Sequence, residues 1–127
     1  MKFTINGKLP SLNDYVLANR SYKYAGASMK KRVEKQIQES IFKAISSGEI
    51  KKVDKYPVGL NITWYEPTMR RDIDNICFAV KFIQDALVAT GVLENDSQRY
   101  ISELNHTVLL DRENARIEVE IEVKRWI

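Results

Sequence analysis

A chain of 127 residues has room for one hydrophobic core and not for two, so a single domain spanning residues 1–127 is expected. Hydrophobic residues at 44%, charged residues at 29%, five Gly and three Pro exclude collagen-like, low-complexity and disordered classes. A net charge of +3 and a pI near 9.0 admit a polyanionic partner without demanding one. The single cysteine, Cys77, rules out an intrachain disulfide and a multi-cysteine zinc site, which suits a reducing, cytoplasmic setting. No run approaches the roughly 20 apolar residues of a membrane span, and Met1-Lys2-Phe3-Thr4-Ile5-Asn6 lacks the apolar stretch of a signal peptide.

In chain order, Lys2 to Asn6 alternates apolar and polar residues ahead of Gly7 and Leu9-Pro10-Ser11, predicting a strand and a turn. The next segment reads as irregular. From Ser28 to Ser46, Met29, Val33, Ile37, Ile41 and Ile45 recur at every fourth place between charged residues, predicting a long amphipathic helix closed by Ser46-Ser47-Gly48. Val58, Leu60, Ile62 and Trp64 alternate with Gly59, Asn61, Thr63 and Tyr65, a strand halted by Pro67. A second helix is expected over Asp74 to Ala89, capped by Gly91. Three strands follow, over Arg99 to Leu104, Thr107 to Leu110 and Ala115 to Val123. The order βαβαβββ describes an α+β fold, a mixed β-sheet with two main helices packed on it.

Chemistry concentrates in Arg70-Arg71-Asp72-Ile73-Asp74-Asn75, in Lys81 and Asp85, and in Glu94-Asn95-Asp96-Ser97. Asp72 and Asp74 stand two apart where an extended segment enters a helix. Asp74 to Lys81 spans seven residues and Lys81 to Asp85 four, both close to whole turns, so these three are expected on one face of a continuous helix. Gathered carboxylates repel one another, and sites that keep them ionised do so with a hard divalent cation. Asp72, Asp74 and Asp96 are accordingly read as a cluster sharing one Mg²⁺, with Lys81 balancing charge on a phosphate or orienting a water. Arg20, Lys30, Lys31, Arg32, Arg70 and Arg71 are candidates for contacts to a DNA backbone, which bind without reading sequence.

The arrangement Asp72-Ile73-Asp74-Asn75, Lys81, Asp85-Ala86-Leu87, Gly91 and Asn95-Asp96 resembles the RusA family of Holliday junction resolvases. Leu9-Pro10-Ser11-Leu12-Asn13-Asp14-Tyr15 and Ala18-Asn19-Arg20 are similar to the N-terminal segment of phage and Gram-positive members, so the likeness covers nearly the whole chain. The resemblance implies a homodimeric nuclease that uses Mg²⁺ or Mn²⁺ to nick opposed strands of a four-way DNA junction. It further implies that Asp72, Asp74 and Asp96 bind the metal and Lys81 is the catalytic lysine. In the family's better-known form the lysine stands about one helical turn earlier. No aromatic residue precedes Asp72 within Glu66-Pro67-Thr68-Met69 to wedge a junction open.

Each feature also has a plain structural reading. Asp74 suits a helix start, Asp96 a turn, and Lys81 with Asp85 a surface pair. Lys30-Lys31-Arg32 suits a solvated helix face, His106 a packed position, and Trp64 and Trp126 a core or dimer contact. The competing functions are a non-catalytic DNA-binding module and a metal-dependent nuclease acting on other branched DNA.

Overall fold

The structure is a computed structural model, and it describes residues 1–124; Trp126 lies outside the described residues. The elements are β1 (Lys2–Asn6), α1 (Leu12–Ser21), α2 (Ala25–Ser46), β2 (Val58–Glu66), α3 (Ile73–Cys77), α4 (Val80–Ala89), β3 (Ile101–Leu110) and β4 (Arg116–Val123). They form the expected α+β class, with one mixed sheet in the order β1-β4-β2-β3. β4 runs antiparallel to both β1 and β2, whereas β3 runs parallel to β2 and occupies the sheet edge. A parallel pair needs a crossover connection, here supplied by α3 and α4.

Burial alternates along β2 because successive side chains face opposite sides of the sheet. Val58, Leu60, Ile62 and Trp64 face the helices, joined from β1 and β4 by Phe3, Ile5, Ile117, Val119 and Ile121. The helix layer returns Val33, Ile37, Ile41 and Ala44 from α2 and Phe82, Ile83, Ala86 and Leu87 from α4. Each large side chain so buried contributes about 1.5–3 kcal/mol. The apolar stripe of α2 ends on Ala44, not on the expected Ile45, which is exposed. A spacing of four overshoots a helical turn by about 40°, so the fifth member of the series has rotated out of the core.

Three boundaries differ from the sequence expectation. The irregular segment contains α1, which buries no residue and so shows no apolar period. A capping box starts it instead: the Asp14 N–H donates to Ser11 Oγ at 3.1 Å and the Ser11 N–H donates to Asp14 Oδ2 at 3.0 Å. The second helix is two helices, broken at Phe78 and Ala79 by a tighter turn in which the N–H of Ala79 bonds the Ile76 carbonyl and that of Lys81 bonds the Phe78 carbonyl. The first two tail strands are one strand. Asn105 and His106 look like a break, yet both are paired sideways: Asn105 Nδ2 donates to Asn61 Oδ1 at 2.8 Å and Trp64 Nε1 donates to His106 Nδ1 at 3.0 Å. No helix among the described residues is long and apolar enough to cross a membrane.

Candidate active site

The acidic motif sits at the carboxyl end of β2, the end of a parallel strand pair where open α/β sheets commonly hold ligands. Asp72 is the N-cap residue of α3, extended at φ −69°, ψ 152°, and its carbonyl accepts the Ile76 N–H at 3.1 Å. Its side chain makes no capping bond, so the exposed carboxylate remains available. Asp74 lies in the first turn of α3, where the helix dipole favours negative charge, and its Oδ1 accepts the Asn75 N–H at 3.0 Å. Burial, and after it the charge of Asp74, push the Cys77 thiol up from its usual range, so it stays protonated and poorly suited to bind metal.

Asp96 lies at the other end of the sheet. Its loop enters β3, which begins beside the start of β2: the Val58 N–H donates to the Tyr100 carbonyl at 2.8 Å and the Glu94 N–H donates to the Tyr56 hydroxyl at 2.9 Å. Asn95 Oδ1 accepts the N–H groups of Asp96 and Ser97 at 2.7 and 3.1 Å, a side-chain turn that leaves the Asp96 carboxylate outside it. The nine residues of β2 separate the two ends, a span of about 25–30 Å at the rise of a strand.

One chain therefore does not assemble the expected three-carboxylate cluster, and no group of three or more His, Cys, Asp or Glu among the described residues is placed to hold a metal ion. The physical reason is topological: α3 and α4 carry the chain back along the sheet between Asp74 and Asp96.

The break at Phe78 and Ala79 also interrupts the helical phase from Asp74 to Lys81, so the expected common face is kept only from Lys81 to Asp85. Lys81 Nζ lies 3.3 Å from Asp85 Oδ1, with the lysine side chain 66% exposed and the aspartate 26%. The pair rims a pocket of about 180 Å³ with Lys30 of α2, over Tyr15, Phe78 and Phe82, whose rings pack 5.6–5.8 Å apart.

The basic run on α2 divides. Lys30 flanks the buried stripe on the α4 side and is paired with Glu34 at 3.9 Å, whereas Arg32 flanks it on the α1 side. Arg32 lines an open cleft of about 960 Å³ between α1 and α2, together with Lys8, Asn13 and Gln36. Lys31 and Arg20, the latter in the last turn of α1, are exposed. Arg70 is exposed, and its side chain has no hydrogen-bond or ionic partner among the described residues. Arg71 differs: its guanidinium forks onto Glu66, with Nε to Oε1 at 2.8 Å and Nη2 to Oε2 at 2.9 Å, and Nη1 donates to the Leu9 carbonyl at 3.1 Å. Sequence reasoning missed Lys8 and Glu66. A carboxylate five places before an arginine across a proline was the available signal for Glu66, but no periodic pattern marks it.

The donors at the motif suit a hard divalent cation. Asp72 and Asp74 offer only oxygen, and Mg²⁺ characteristically takes one or two carboxylates, keeps waters and completes its shell with phosphate oxygens. A family model described as Endodeoxyribonuclease RusA matches residues 13–122, a span that includes Asp72, Asp74, Lys81 and Asp96. A comparison with curated proteins finds no match.

Proposed function

Because this chain belongs to the RusA endodeoxyribonuclease family, we propose that it resolves four-way DNA junctions as a Mg²⁺-dependent homodimer whose acidic centres are completed between two copies. The observation that carries the reading is the placement of Asp72 and Asp74 at one end of β2 and of Asp96 at the other. A strand-length gap cannot be bridged by one ion, so Asp96 joins the other two acids only from a second copy. The edge strand β3, which no other strand among the described residues covers, supports such an arrangement. It is ten residues long and mostly exposed, has a single charged residue, Glu103, and leaves Leu104 and Leu110 part-exposed on the side of the sheet that carries the helices. The register irregularity and the charge both lie at its start, between Ile101 and Glu103, so from Leu104 to Leu110 the edge has no charge, proline or bulge, and such edges tend to pair. A two-fold axis beside β3 sets the start of one strand against the end of its mate, bringing Asp96 of the partner subunit toward Asp72 and Asp74.

In this reading Asp72 and Asp74 hold the cation through oxygen, with Mn²⁺ able to replace Mg²⁺. A cation held there would supply Lewis-acid chemistry, polarising the scissile phosphodiester and lowering the pKa of an attacking water. Lys81, held by Asp85, offers a positive charge to the phosphate as negative charge develops. Arg32 and Lys8 in the cleft, and the exposed Arg70, Arg20, Lys30 and Lys31, hold flanking backbone phosphates, and the cleft between α1 and α2 provides the path of one strand. Two centres related by a dyad match the two opposed strands of a junction.

The test is cleavage of a labelled synthetic four-way junction beside flap, fork and duplex DNA, with and without Mg²⁺. Paired nicks in the junction that need the metal are expected. The absence of nicking with every divalent metal, or equal cutting of all four substrates, overturns the reading.

A further inference from the structure

The chain has six tyrosines, and four of them have partners for their rings. Tyr15 packs against Phe78 and Phe82, Tyr56 against Tyr100, and Tyr65 lies under the Arg116 guanidinium at 3.7 Å. The other two, Tyr22 and Tyr24, stand in the turn from α1 to α2, each 63% exposed. Tyr22 is the C-cap residue of α1 and Tyr24 the N-cap residue of α2, where its side chain makes no capping bond, so the helices use their backbones and leave the rings to solvent.

Two large aromatic side chains one residue apart are more than scattered surface apolarity, and their surroundings indicate what they suit. From Tyr15 to Val33 no Asp or Glu occurs, while Arg20, Lys23, Lys30, Lys31 and Arg32 do. Lys23 Nζ lies 5.4 Å from the centroid of the Tyr24 ring. The turn is braced from beneath, since Gly26 is buried against Asn19 so closely that a Cβ there would overlap Asn19 Oδ1. Rings held out between cations on a braced turn match the needs of a single strand: the cations follow its backbone, and the rings stack on bases of any identity.

Resting on the resolvase reading, we propose that Tyr22 and Tyr24 form a stacking platform for unpaired bases of the DNA strand that leaves the acidic motif through the cleft between α1 and α2. The cleft is lined along the length of α1, from Ser11 to Ser21, the residue before Tyr22. Its other end includes Leu9, whose carbonyl accepts from the residue preceding Asp72. The ten residues of α1 cover about 15 Å, or about four to five nucleotides of a stacked strand. In a continuous duplex the faces of the bases are covered by their neighbours, so the platform offers paired DNA nothing. The basic side chains bind any DNA, whereas the two rings add affinity only where a strand is open.

The full-length chain is compared with Tyr22→Ala, Tyr24→Ala and the matching Phe substitutions, each assayed below its unfolding midpoint. Binding to an oligothymidine, a four-way junction and a blunt duplex is measured across a salt series, and junction nicking with Mg²⁺ and Mn²⁺. Stacking of one base is worth about 5- to 150-fold in affinity by alanine substitution. Each alanine variant should therefore bind oligothymidine and the junction at least about 5-fold more weakly, with duplex affinity and salt slopes as in wild type. The phenylalanine variants keep the ring and should match wild type. Alanine variants that bind oligothymidine as wild type does, or that lose duplex binding equally, overturn the platform. A wild-type protein whose oligothymidine binding depends on the rings but which nicks no junction overturns the resolvase reading alone.

Discussion

The two ends of β2 carry acids of the same kind in surroundings of different physics. At the carboxyl end, Asp72 and Asp74 follow a charged clamp, the Glu66–Arg71 fork, which holds a turn that has little apolar burial of its own: Met69 is 85% exposed. At the amino end, the loop bearing Asp96 is held by neutral groups. The Tyr56 hydroxyl donates to the Val53 carbonyl and accepts the Glu94 N–H, the Tyr56 and Tyr100 rings meet edge to face at 5.0 Å, and Val92 and Leu93 anchor the loop in the core. The carboxyl end is held by geometry that one lost charge can disturb, the amino end by many small contacts that fail gradually. A strand is also a ruler, and these ends cannot meet within one chain.

The largest effect expected breaks that separation directly. Asp74→Asn and Asp96→Asn should each abolish cleavage, but co-refolding the two inactive proteins should restore nicking, because each mixed dimer holds one centre with neither substitution. With random mixing about a quarter of wild-type centres are intact, and the product should be singly nicked. No recovery in a confirmed mixed dimer would mean that the acids do not work across the dyad. Lys81 lies between the two ends, on α4, and its replacement by Met should lower kcat by about 10–100-fold by removing positive charge at the phosphate. Mn²⁺ affinity should hold, so a matching loss of affinity would assign Lys81 to the metal site instead.

The smallest effect concerns the sheet between the ends. The His106 ring stacks on Trp64 and accepts its indole N–H on Nδ1, and burial holds the imidazole pKa below its usual 6.5. The folded protein therefore disfavours the protonated form. The stability this provides is full above pH 6.5 and is lost as pH falls through the lowered folded value. Unfolding midpoints measured from pH 7.5 downward should decline less steeply in His106→Asn than in wild type, and parallel curves would show that His106 contributes no linkage.

Much of the fold was legible where a period exists. The stripe through Val33, Ile37 and Ile41, the alternation along β2, and the glycine that caps α4, Gly91 at φ 80°, read directly as elements and ends. α1 was not legible by that means because it buries nothing, and its capping box pairs Ser11 with Asp14 where a Glu or Gln is the usual signal. The continuity of β3 depended on Asn61 and Trp64, partners more than 40 residues away that make Asn105 and His106 acceptable in a strand. At the site, residue types marked the acids, Lys81 and the basic side chains, but not which of them are committed. Arg70 and Arg71 are alike as letters, and only the fold sets Glu66 against one of them.

By itself, the amino-acid sequence determined the fold class, the family and the oxygen-donor chemistry of the motif, because periodicity, residue type and local spacing are properties of short stretches of chain. Tertiary structure alone decided that Asp72 and Asp96 stand a strand's length apart, that Arg71 is clamped, and that the basic run of α2 divides between two faces. Those are distances and directions between segments remote in the chain, set by the parallel pairing of β2 with β3 and the return of α3 and α4 across the sheet.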